Sequence, residues 1–133
     1  MRRVLNSLLL IIIVTACNLG TAPATVVPTP DIPTVEILAP LNNQQVVEGV
    51  EFDFDIVARD GGAGVAMIEL YVDSQLVNLA LPVDEEAVPI FRTLMNWRAD
   101  GVGRQLVEVI AYRENGQQSD PARINIEVMA REP

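Results

Sequence analysis

Val50-Glu51-Phe52-Asp53-Phe54-Asp55-Ile56-Val57-Ala58 alternates apolar and acidic residues over most of its length. Successive side chains of an extended chain point to opposite faces, so Val50, Phe52, Phe54, Ile56 and Ala58 share one side and Glu51, Asp53 and Asp55 the other. That is the pattern of a half-buried strand, with the phenylalanines in a core and the acids in water.

The same pattern continues on both sides of this stretch. Upstream, Thr34-Val35-Glu36-Ile37-Leu38 is a candidate strand closed by Pro40 and Asn42-Asn43. Downstream, Asp60-Gly61-Gly62-Ala63-Gly64 must turn, because clustered glycines favour positive φ over any regular element. Ala66 to Val72 then places Ile68, Leu70 and Val72 on one face, and Asp73-Ser74-Gln75 connects it tightly to Leu76-Val77-Asn78-Leu79 as a hairpin. Residues 80–89, with Pro82, Asp84-Glu85-Glu86 and Pro89, read as an edge strand or a loop.

Ile90 to Trp97 alternates again, Phe91, Thr93, Met95 and Trp97 against Ile90, Arg92 and Leu94. Asp100-Gly101-Val102-Gly103 turns the chain into Leu106 to Tyr112, and Glu114-Asn115-Gly116 turns it towards Ala122 to Val128, with Ile124, Ile126 and Val128 inward. Seven short strands separated by turn residues and no helix predict an all-β sandwich or barrel.

Pro33-Thr34-Val35, Ala39-Pro40, Asp60 through Gly64, Val65 to Val72 with Asp73, Trp97-x-x-Asp100-Gly101, Val107-x-Val109-x-Ala111 and Asn115-Gly116-x-x-Ser119 follow one another in an order that resembles bacterial immunoglobulin-like domains. The resemblance runs from residue 33 to about residue 129. It implies an Ig-like Greek-key sandwich of two sheets occupying residues 34–133, in agreement with the strand count.

Ahead of this domain stand two segments of different character. Arg2 and Arg3, the apolar run Leu8 to Val14 and the small residues Thr15-Ala16 have the layout of a secretory signal. The run is too short for a bilayer, which takes about 20 apolar residues. Val14-Thr15-Ala16-Cys17 resembles the lipobox of bacterial lipoproteins. That resemblance implies removal of residues 1–16 by cleavage between Ala16 and Cys17, and acylation of Cys17. Two or three acyl chains, at about 0.8 kcal/mol for each buried methylene, would hold the protein firmly in a membrane. An ordinary cleaved signal with an unrelated cysteine is the alternative. Asn18 is not the aspartate that retains many such proteins on an inner membrane. Residues 17–33 carry Pro23, Pro28, Pro30 and Pro33 among Thr and Ala, a tether that at about 3.1 Å per residue would span roughly 50 Å.

Composition narrows the function further. Without residues 1–16 the chain keeps seven arginines against 18 acids, a net charge of −11, and it has no lysine. Such a polyanion is a poor partner for nucleic acid or anionic headgroups, whose binding rests on Lys and Arg. With no histidine, no lysine and a single cysteine, nucleophile–base pairs and His/Cys zinc sites are excluded. No Gly-rich phosphate loop opens a helix. A pair of carboxylates could hydrolyse a glycoside, but about 100 residues of sandwich leave little room for a cleft.

The remaining candidates are acids and aromatics. Asp53, Asp55, Asp60, Asp73 and Asp84-Glu85-Glu86 could supply oxygen to calcium, but none matches EF-hand spacing, and a solvated acidic surface that keeps the domain soluble is the favoured account of them. Trp97 is either core, since it shares a face with Phe91 and Met95, or with Tyr71 and Tyr112 a platform for a sugar ring. The expectation is a cofactor-free, non-catalytic, monomeric module of the cell envelope, attached to a membrane through Cys17, with a protein or polysaccharide partner. A carbohydrate-binding module and an accessory subunit of an envelope complex are the alternatives.

Overall fold

The computed structural model describes residues 31–133. The expected signal 1–16, Cys17 and most of the tether lie outside the described residues. Eight strands are present: β1 Thr34–Ala39, β2 Gln44–Val47, β3 Glu51–Arg59, β4 Met67–Val72, β5 Gln75–Ala80, β6 Ile90–Arg98, β7 Gly103–Tyr112 and β8 Ala122–Met129. They form a three-stranded sheet in the order β1-β3-β6 and a five-stranded sheet in the order β2-β8-β7-β4-β5. No helix occurs among the described residues.

The expected alternation in β3 holds where it matters. Phe54, Ile56 and Ala58 are fully buried, while Glu51 and Asp53 face solvent. β3 pairs antiparallel with β6 in one unbroken register, Phe52 against Trp97 and Phe54 against Met95. The ring of Phe52 meets Trp97 edge-on at 5.5 Å and Phe54 lies 5.2 Å from Phe52, so three aromatics form one corner of the core. Ile68, Leu70 and Val72 from β4, Val107, Val109 and Ala111 from β7, and Ile126 and Val128 from β8 close it from the other sheet.

Four details depart from the sequence reading. Val50 is 41 % exposed, because it precedes β3 in a turn whose backbone bonds Val50 N to Val47 O. Val57 is buried although it points to the polar side. Its cross-strand neighbours are Glu36 and Arg92, whose long side chains flank it. β2 was not expected: its residues, Gln44-Gln45-Val46-Val47, show no alternation, and it forms by pairing parallel with β8 far along the chain. Asn42 Oδ1 accepts from Asn125 N and Asn43 N donates to Asn125 O, which guides it there. β7 begins at Gly103, three residues before Leu106, because Arg104-Gln105 hides the pattern. Residues 81–89 are a loop, touching the sheet through the bridge Val65 to Val88.

The domain also begins slightly earlier than the sequence suggests. Pro33, assigned to the tether, is fully buried, and Asp31 bonds to Arg113. Gly64, with φ +85°, lies where a Cβ would stand 3.2 Å from the backbone of Ala87 and Val88, so the loop of residues 60–64 can approach the 81–89 loop only with glycine there.

Truncating Phe54 to Ala should create a cavity and cost about 3–5 kcal/mol. Asp53→Asn keeps an oxygen for Asn96 Nδ2, its 3.0 Å partner, and should stay within about 0.5 kcal/mol of the parent. Urea melts of the two variants measure both; a larger loss for Asp53→Asn would mean that the register of β3 is reversed.

Candidate functional site

The calcium candidates are scattered. Asp53 and Asp55 stand on the outer face of the three-stranded sheet, where Asn96 donates to Asp53 and Arg92 forks onto Asp55 at 2.9 and 2.5 Å. That fork holds the Asp55 carboxyl below its ordinary range. Asp73 is in the β4–β5 turn and accepts from Leu106 N at 2.9 Å. Asp60 is at the other end of the sandwich. Among the described residues no three His, Cys, Asp or Glu side chains gather as a metal site. The acids Asp84-Glu85-Glu86 sit in the 81–89 loop and make no ion pair among the described residues.

The aromatics divide in the same way. Trp97 is buried against Phe52 and Phe54 and belongs to the core. Tyr71 and Tyr112 are half-buried on the outer face of the five-stranded sheet. Tyr71 Oη donates to Glu69 Oε2 at 2.6 Å, and this bond raises the Tyr71 phenol above its ordinary value. Burial, with the same carboxylate, raises Tyr112. A platform of the three rings is therefore not assembled.

Two polar centres that the sequence reading did not anticipate lie at the two ends. At the first, Arg113 closes on Asp60. Arg113 Nε donates to Asp60 Oδ2 at 2.6 Å and Nη2 to Oδ1 at 2.9 Å, both side chains being almost wholly buried. The remaining donors reach Gln117 Oε1 at 2.7 Å and Asp31 Oδ1 at 3.0 Å, and Gly62 N donates to Asp60 Oδ1. One guanidinium thus ties the β3–β4 turn, the β7–β8 hairpin and the incoming chain. The signal for it was thin: one arginine just past the alternating run of β7 and one aspartate ahead of glycines.

At the opposite end a cavity of about 180 Å³ opens between the β4–β5 turn and the β6–β7 turn, lined by Val72, Asp73, Gln75, Val77, Trp97, Asp100 and Gln105. Gln105 Nε2 donates to the carbonyls of Asp100 and Gly101. Its Oε1 is buried without a partner among the described residues. A glutamine two residues past a turn glycine reads as surface, so the sequence carries no signal for Gln105.

The Arg113 fork, outweighing burial, lowers the Asp60 carboxyl below its ordinary 3.8. A depressed carboxylate stabilises the fold fully above that value and loses its contribution as pH falls through it towards the folded-state value. Urea midpoints of the parent and Asp60→Asn should differ most at about pH 7, and the gap should narrow as the pH falls below 3.8. A gap that is constant over this range contradicts the assignment.

Residues 33–93 match the family model described as a bacterial Ig domain. No curated protein matches the chain in sequence. Among solved structures, fibronectin(III)-like modules of CbhA from Clostridium thermocellum superpose with a TM-score of 0.60 at 22% identity, over 74% of this chain and 47% of that one. The SrpA adhesin from Streptococcus sanguinis gives 0.54 at 18% identity, over 74% and 57%. A CARDB domain from Pyrococcus furiosus, in complex with di-metal ions, gives 0.53 at 16% identity, over 79% and 100%. The chain spans about half the length of the first of these. These likenesses and the strand order agree: the described residues form an immunoglobulin-like β-sandwich, and residues 33–93 carry the sequence pattern of bacterial Ig domains.

Proposed function

We propose that the protein is a lipid-anchored, extracytoplasmic Ig-like module that binds or scaffolds a partner at the bacterial cell surface and performs no catalysis. The observation that carries this reading is the order of parts in one short chain. An apolar run ending in Val14-Thr15-Ala16-Cys17 is followed by a proline-rich stretch, and that by a sandwich with the sequence pattern of bacterial Ig domains. An anchor, a spacer and a single recognition domain make a display device.

The chemistry of the chain supports the binding half of the reading. Its lack of histidine and lysine removes the nitrogen bases, and the buried Asp60 is neutralised by Arg113. SrpA is an adhesin, and the similar part of CbhA is its fibronectin(III)-like modules. Both names fit a surface-exposed binding role for this sandwich. The carbohydrate reading loses its strongest ring, since Trp97 lies in the core.

Changing Cys17 to Ser should release the protein from membranes, because no other strong attachment is offered by the sequence. Cells fed a fatty-acid analogue should label the parent and leave Cys17→Ser unlabelled, and the parent recovered from detergent-solubilised envelope should bring its partner with it. A parent free of lipid, or a processed mutant that stays in the membrane, would refute the anchor.

A further inference from the structure

The two outer faces of the sandwich are unlike. On the three-stranded sheet the charges answer one another: Glu36 pairs with Arg59, Asp55 with Arg92, and Asn96 donates to Asp53. The five-stranded sheet is apolar and phenolic over β4, β5 and β7. Ile68, Leu70 and Val72 point into the core, so Met67, Glu69 and Tyr71 point outward. The register sets Leu79 and Ile110 on either side of Glu69, Leu76 beside Tyr71, and Tyr112 beside Met67. Leu76 and Leu79 are 52% and 44% exposed, and the segment Ser74 to Val83 that carries them has no charged residue in a chain with 18 acids. Contiguous apolar surface enriched in tyrosine and methionine marks a face that a partner covers.

Glu69 is the one acid within this patch. Its Oε2 accepts from Tyr71 Oη, while Oε1 accepts nothing among the described residues and is not closed off from solvent. No cation among the described residues pairs with it, and Arg123, two strands away, is taken by Glu108 at 2.7 Å. We propose that the outer face of β4, β5 and β7 docks a partner protein through an arginine set among apolar side chains, with the guanidinium meeting Glu69.

Charge decides the occupant. A purely apolar surface laid over this face would strand the Glu69 carboxylate away from water, so whatever covers the face has to bring a cation. A second copy of the chain brings the opposite, another Glu69 and a formal charge of −9. Arginine suits the place better than lysine, because its planar, weakly hydrated guanidinium bonds a carboxylate and lies against an aromatic ring, here Tyr71, at the same time. This inference rests on the binding role proposed above and names the chemistry of the partner and the face it meets.

The chain has two tyrosines, Tyr71 and Tyr112, and both lie on this face, so the full chain purified in an uncharged detergent with ring-labelled tyrosine reports on it alone. Titration with the blocked tripeptide Leu-Arg-Leu should move the ring signals saturably, with a Kd on the order of 1 mM. Leu-Gln-Leu and Gly-Arg-Gly should each bind at least about tenfold more weakly, the first for want of charge and the second for want of apolar contact. Glu69→Gln keeps an acceptor for Tyr71 Oη and should remove the preference for arginine over glutamine, whereas Glu36→Gln on the other sheet should leave it unchanged. The proposal fails if Leu-Arg-Leu gives no saturable shift, if either control peptide matches it, or if Glu69→Gln retains the preference. Saturable shifts with cellohexaose and none with the peptides assign the face to a sugar, and shifts that follow protein concentration alone, in step with a dimer in sedimentation, assign it to a second copy; both overturn the proposal. The signals are independent of Cys17, so failure here leaves the anchored role standing, and loss of the anchor leaves the face untouched.

Discussion

The pairing of β3 with β6 governs the sandwich, and within it the contact of Phe52 with Trp97. β3 is the central strand of its sheet, bonded to β1 on one side and β6 on the other. Side chains alternate with a period of two, so a slip of one residue would turn Phe54 and Ile56 to water and drive Asp53 and Asp55 into the core. Burial of the aromatic corner therefore selects a single register, and that register brings Ile37 beside Ile56 and Met95 beside Phe54.

What the sequence made legible follows from this. Strands with one dry face and one wet face announce themselves, and β1, β3, β4, β5, β6 and β8 all lie within one or two residues of where their alternation puts them. β2 could not be seen because its reason to exist is non-local. Four residues without alternation become a strand when β8 offers a free edge and two asparagines direct the chain to it. Val57 misled in the opposite sense. Its burial comes from arginine and glutamate stems on the outer face, which a hydropathy pattern counts as water-facing.

The polar centres were harder still. A glutamine, an arginine and two aspartates acquire meaning only when the fold brings residues 60 and 113, or 73, 100 and 105, to the same place. Asp60 illustrates the limit: by sequence it is an acid in a glycine-rich turn and a fair ligand for calcium, and in the structure it is a buried counter-ion. A buried ion pair is weak evidence for net stability, since both charges give up water, but removing either partner strands the other. Its service is geometric, holding two loops and the incoming chain in one arrangement.

That arrangement gives the domain a polarity. Asp31 and Pro33 are fixed at the end where Arg113 lies, so the polypeptide arrives there, and the β4–β5 and β6–β7 turns form the opposite pole. A nine-residue strand such as β3 separates the poles by about 30 Å. The clamp therefore acts as a mounting bracket: whatever holds the chain upstream of residue 31, the Asp100 cavity is carried as the leading tip, with the length of the sandwich added to its reach.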